Sequence, residues 1–254
     1  MYCKQFYRKT PKSRLDRIKY EWYNSIKVFL RVVLMTAKLF VQAILKFSLG
    51  LVLVGLLIFL PAGSLSFLNG WILMGILFVP MFLAGFVMIF KNPDLLKKRL
   101  DAKEKEKEQS LVVKLMFLAG FIVAGLNFRF GWYTLPKGVV IGASVVFLFA
   151  YIMYAEVLRE NTYLSRTIEI QENQKVIDTG LYGIVRHPMY SATLLLFLSM
   201  PLVLGSIYSF LIFLTYPLII AKRIKNEEEF LEKELAGYTE YKQKVKFRLI
   251  PFIW

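Results

Sequence analysis

Five side chains in the last third of the chain have the types and spacing that chemistry needs: His187, Tyr190, Arg223, Glu227 and Glu228. His187 is the only histidine, and it stands between Arg186 and Pro188. Proline disfavours helix for the residue before it and suits a first helical turn, so Arg186-His187-Pro188 reads as a loop ending where a helix begins. A helix start offers free N–H groups and positive potential. Gly180 and Gly183 upstream permit a close backbone approach. Two readings stay open for this loop: the rim of a ligand site, or an anchor marking the headgroup level of a membrane. Arg223 precedes Glu227 and Glu228 by about one helical turn, so a guanidinium and a carboxylate share a face. A guanidinium binds a carboxylate through two parallel hydrogen bonds. A glutamate accepts a proton from an amine. Asn161 stands after Glu156 and Glu160, where it either caps a helix or orients a substrate. Tyr238 and Tyr241 either cover a cationic group or pack a tail helix.

Other chemistries fail on inventory. One cysteine, Cys3, excludes an internal disulfide, and one cysteine with one histidine does not make a zinc site, so no metal is expected. There is no GxSxG elbow for a serine hydrolase, no GxxxxGK[ST] loop and no GxGxxG turn. The net charge of +15 does not come with a compact basic module, so nucleic acid is not an expected partner. The spans carry no paired broken helices of the transporter kind.

These residues must be held by a membrane protein. The chain of 254 residues is 57% hydrophobic with a mean hydropathy of +0.51. Several apolar runs reach the roughly 17–25 residues a spanning helix needs. The expected fold is all-α and polytopic. Four full spans are read at about residues 41–61, 71–90, 111–130 and 138–157. A C-terminal hairpin of two short helices is read between Ala192 and Ile220, broken near PLVLGS. Residues 11–40 repeat Leu15, Ile18, Trp22, Ile26, Phe29 and Val33 at steps of three and four among lysines and arginines. That pattern predicts an amphipathic N-terminal helix on an anionic membrane surface. The division expected is a basic arm (1–40), N-terminal transmembrane helices (41–130) and a C-terminal catalytic region (131–254). Of lysine and arginine the proposed outer turns contain only Arg129 and Lys137, which predicts both termini and the His187 loop on the cytoplasmic side.

The stretches VIDTGLYGIVRHPMYSATLL and RIKNEEEFLEKELAGYTEYKQKV, joined by a short apolar hairpin and followed by RLIPFIW, resemble the membrane methyltransferases of the isoprenylcysteine carboxyl methyltransferase type, with phospholipid methyltransferases as more distant relatives. The NPDLLKKRL loop resembles bacterial members, which implies a plasma membrane of prokaryotic type. The resemblance implies S-adenosylmethionine as cofactor, held by His187, Tyr190, Glu227, Gly183 and Leu181. It implies activity-bearing roles for Arg223 and Glu228, with Asn161 and Arg223 toward a lipophilic or lipid-tailed acceptor. Carboxylate O-methylation is favoured over N-methylation because Arg223 suits an acid. Many members have glycine two residues after the motif tyrosine, where this chain has Ala192. The alternatives carried are an NADPH-dependent membrane reductase of the sterol-reductase kind and a non-enzymatic membrane protein with a decayed site. The second is weakened by the intact set Arg186, His187, Tyr190, Arg223, Glu227 and Glu228.

Overall fold

The computed structural model describes residues 14–91, 93, 96–97, 100, 107–161, 163, 170 and 174–254. For 14–38 and 107–109 it describes the backbone, and the side chain of Trp22 alone. The NPDLLKKRL loop lies largely outside the described residues, as do, Trp22 apart, the side chains that predicted an amphipathic N-terminus.

Apolar runs without polar interruption form helices here because lipid offers the backbone no hydrogen-bond partners, so the segment must satisfy its own. The helices are α1 (Arg14–Ala62), α2 (Leu68–Lys91), α3 (Lys107–Arg129), α4 (Lys137–Glu160), α5 (Pro188–Val203), α6 (Ile207–Phe213), α7 (Tyr216–Glu234) and α8 (Tyr238–Lys244), with a 3-10 turn at Gly180–Gly183 before α5. The four expected spans are present as Leu39–Ala62, Leu68–Lys91, Ser110–Arg129 and Lys137–Glu160. Their lipid-facing sides are legible from exposure. Leu45, Leu49, Leu53, Leu56 and Leu60 recur at helical steps on α1, and Ile141, Val145, Phe149 and Ile152 on α4.

Two expectations change. The N-terminal helix is not separate from the first span, since α1 runs unbroken for 49 residues. The hairpin is also unequal. Its first arm, α5, has 16 residues, about 24 Å, and falls short of the roughly 30 Å hydrocarbon layer. Its second arm continues from Ile207 to Glu234, 28 residues, and forms a fifth helix long and apolar enough to cross a membrane. The apolar composition ends near Ile220 but the helix does not. Pro217 sits in the first turn of α7, where a missing N–H costs nothing, and the charged residues beyond it continue the helix.

The hairpin turns at Gly205, whose φ of +73° suits glycine. The Ser206 side chain then caps α6 by accepting from the Ser209 N–H at 3.2 Å. Ser209 in turn donates to the Gly120 carbonyl at 2.8 Å, tying α6 to α3. Gly120 has no side chain because the Phe213 ring occupies that space. Phe213, Phe147, Ile58, Leu204 and Ile224 are fully buried in one core that joins all five spans to α5. This core holds the His187 end of α5 against the middle of α7.

Candidate active site

His187 is the residue just before α5, with Pro188 opening the helix, as the triplet predicted. What holds the loop is the tail. The N–H groups of Arg186 and His187 donate to the carbonyls of Phe247 and Arg248, each at 2.9 Å. Arg186 Nη1 donates to the carbonyls of Val245 (2.6 Å) and Lys246 (2.8 Å). Ser191 Oγ donates to the Leu249 carbonyl at 2.5 Å. The loop and the last turns of the chain are thus one unit.

Glu228 is the pin of that unit. It is buried, and its Oε1 accepts from Arg186 Nε at 2.7 Å while its Oε2 accepts from Arg248 Nε at 2.8 Å. His187 Nε2 lies 3.2 Å from Oε1. Glu227, one residue earlier, turns about 100° around α7 and enters the neighbouring cleft. There Tyr190 donates its hydroxyl proton to Glu227 Oε2 at 2.5 Å and accepts from Arg223 Nε at 2.9 Å. His187 Nδ1 lies 3.9 Å from Glu227 Oε1, and its ring stacks on Tyr190 with centroids 5.7 Å apart. The imidazole therefore bridges the two glutamates.

The cleft brings together Asn161, Tyr182, His187, Tyr190, Arg223 and Glu227 with Tyr238 and Tyr241. Val176, Met189, Leu231 and Leu235 supply its apolar lining. Arg223, Glu227, Leu231 and Leu235 follow at steps of four along α7 and its end, so the lining passes from charged to apolar over about 12–18 Å. Asn161 caps the helix, as one of its two readings had it, and also faces the cleft. Its backbone closes α4, and its amide lines the cleft while donating to Tyr182 Oη at 3.0 Å.

Three sequence candidates do not line the cleft: Glu228, Leu181 and Gly183. The Leu181 N–H instead donates to Glu160 Oε2 at 3.1 Å, and the space beside Gly180, which has a φ of +51°, is filled by the same carboxylate. Ala192 is fully buried outside the cleft, so its methyl does not narrow it. Sequence reasoning missed Tyr182 and Arg248. Tyr182 had a local signal, being flanked by glycines in GLYG, and its carbonyl accepts from the buried Tyr241 hydroxyl at 2.8 Å. Arg248 gave none, because its partner Glu228 is 20 residues away. Burial pushes the Tyr241 phenol well above its ordinary value, so it stays a donor.

The residues fit S-adenosylmethionine. That molecule has a charged amino-acid end and an adenosine end, and the cleft is graded the same way. One buried hydroxyl in the lining, Tyr238 Oη, has no partner among the described residues. Among the described residues no group of His, Cys, Asp and Glu is arranged to hold a metal.

Residues 135–236 match the phospholipid methyltransferase family. The resemblance expected from the sequence is borne out over that stretch as a match to a membrane methyltransferase family, one that uses S-adenosylmethionine. The fold of the chain is similar to that of the eukaryotic intramembrane Ras methyltransferase, isoprenylcysteine carboxyl methyltransferase. That likeness has a TM-score of 0.54 at 17% identity and covers 91% of this chain and 86% of the other. The chain is also 28% identical over 92 residues to the Delta(14)-sterol reductase TM7SF2 of Mus musculus, a stretch that is 35% of this chain and spans only 22% of that protein.

Proposed function

We propose, from the methyltransferase match over residues 135–236, that this protein transfers a methyl group from S-adenosylmethionine to a lipophilic acceptor at the cytoplasmic face of a prokaryotic-type plasma membrane. The observation that carries the reading is the joined cluster of His187, Tyr190, Arg223 and Glu227 around one cleft at the end of the short helix α5. In this reading the C-terminal region from about residue 131 is the catalytic part, and both termini face the cytoplasm.

When bound, S-adenosylmethionine supplies an electrophilic methyl group that passes to the acceptor by in-line displacement. The protein's share is position and dryness. Glu227 and His187 hold the charged end of the cofactor. Leu231, Leu235 and Val176 enclose its other end and keep water out. Arg223, oriented by the Tyr190 hydroxyl, draws an acceptor carboxylate into line, and such an acceptor is already ionised and needs no base. An amine acceptor has to lose a proton, and Glu227, which opens into the cleft, is placed to take it. Glu228 has its oxygens engaged by two arginines and the histidine, so we assign it a positioning role through His187.

A lipid tail has a place to lie. A cavity of about 430 Å³ is lined almost wholly by apolar side chains of α1, α2 and α4, among them Phe47, Phe82, Ile89 and Leu158. Asn161, which ends α4 beside the cleft, follows directly on the turn that lines this cavity. Both favour an acceptor that arrives through the membrane. A second reading, an NADPH-dependent reductase, is favoured by the stretch shared with the mouse sterol reductase.

The test is transfer of labelled methyl from S-adenosylmethionine into a membrane-lipid extract, with Arg223→Lys and Glu227→Gln alongside the wild type. Base-labile product, absent with Arg223→Lys, supports an ester. Base-stable product, absent with Glu227→Gln, supports an amine. No transfer by the wild type, with oxidation of NADPH instead, replaces the first reading by the second.

A further inference from the structure

Among the described residues, two buried side-chain polar atoms have no hydrogen-bond partner: Asn127 Oδ1 and Tyr238 Oη. Only Tyr238 lines the cleft. Its neighbours in the cleft are satisfied, with Tyr241 bonded to the Tyr182 carbonyl and Tyr190 to Glu227. A buried hydroxyl without a partner costs about 1–3 kcal/mol, and phenylalanine would fill the same space without that cost. The phenol is therefore informative about something that enters the cleft.

Gly237, with a φ of +84°, turns the chain so that Tyr238 opens α8 against the end of α7. Tyr238 belongs to a small apolar cluster with Tyr241 and Val245, against which Val176, Leu231 and Leu235 pack. All three also line the cleft. This slot has apolar walls and one polar atom. It lies two to three turns along α7 from Arg223, about 12 Å at 1.5 Å per residue between Arg223 and Leu231. A flat heteroaromatic ring fits such a slot, having apolar faces and in-plane lone pairs. Burial first, then Glu228 and Glu227, push the phenol well above its ordinary value, so it remains a hydrogen-bond donor.

We infer that Tyr238 is a specificity-determining residue: its hydroxyl donates to a ring nitrogen of the purine, which lies between Val176, Leu231 and Leu235. The inference rests on the methyl-donor reading. It gives the direction of the ligand in the cleft, base toward α8 and charged end toward Arg223.

The experiment is calorimetric titration of the full chain in detergent with S-adenosylhomocysteine and its 1-, 3- and 7-deaza analogues. Wild type and Tyr238→Phe are compared, with ligand-free thermal unfolding of both. Tyr238→Phe should bind the parent ligand about 3- to 10-fold more weakly, the loss of one neutral hydrogen bond. One deaza analogue should show the same loss on the wild type and no further loss on the variant. Ligand-free Tyr238→Phe should unfold at the wild-type temperature or above, because an unpaired buried hydroxyl has been removed. Equal affinity for the parent ligand overturns the inference, as does further loss for all three analogues. A lower ligand-free unfolding temperature also overturns it, by showing a structural partner. If the wild type binds NADPH and not S-adenosylhomocysteine, the methyl-donor reading itself has failed, and the inference falls with it.

Discussion

Replacing Glu228 by glutamine should unfold the site, not merely slow it. The change keeps shape and removes one negative charge. That charge is held 2.7 Å from Arg186 Nε and 2.8 Å from Arg248 Nε. The Arg186 side chain is 4% exposed and that of Glu228 3%, whereas Arg248 is 28% exposed. A charge-assisted hydrogen bond contributes about 1.5–3 kcal/mol, and the Arg248 share is reduced by solvent. Arg186 would keep its two carbonyl partners but lose its counter-charge in the interior. Removing one member of a buried pair costs about 3–5 kcal/mol for that reason. Glu228→Gln should therefore lose about 3–5 kcal/mol. Glu227→Gln, whose side chain is 25% exposed in the cleft, should lose under about 1 kcal/mol. The assay is denaturant unfolding in detergent micelles, with S-adenosylhomocysteine affinity measured on whatever folds. Glu227→Gln should weaken that affinity with little change in stability. A Glu228→Gln protein as stable as wild type and inactive would refute the reasoning, returning Glu228 to proton transfer.

Orientation is checked by single cysteines in a Cys3→Ser background. Tyr208→Cys, at an exposed position near the hairpin turn, should react with an impermeant thiol reagent on whole cells. Thr179→Cys should react only after permeabilisation, and the reverse pattern inverts the topology. Gly120→Ala should lose about 1–3 kcal/mol by forcing a methyl into the Phe213 ring, and the double change with Phe213→Leu should recover part of it. Full stability of Gly120→Ala would mean that α3 and α6 can separate.

The spans were legible because twenty apolar residues in a row have one common solution in lipid. The end of the hairpin was not, because composition changes at Ile220 while the helix runs on to Glu234. The site was legible as a set of residue types and much less as a geometry. Glu227 and Glu228 are the same residue side by side. A turn of about 100° sends one into the cleft and the other behind it, and which goes where depends on Arg186, 42 residues earlier, and Arg248, 20 residues later. No local pattern carries that information. Tyr238 was visible as an aromatic in a tail helix, but only three-dimensional placement shows that its hydroxyl lacks a partner while its ring is packed.

The clamp on Arg186 has a consequence for biosynthesis. Its carbonyl partner Val245 is made 59 residues later, about 3–12 s at a synthesis rate of 5–20 residues per second. During that interval the hairpin emerges with an unpaired guanidinium at its foot. In the proposed orientation, a positive charge there would help keep the foot on the cytoplasmic side while the apolar arms partition into lipid. When Glu228 and then the tail arrive, the same charge is neutralised and covered. In that orientation Arg186 would serve first as a topology signal and afterwards as the rivet of the finished site, and the cleft would be complete only after the tail that closes it has been made.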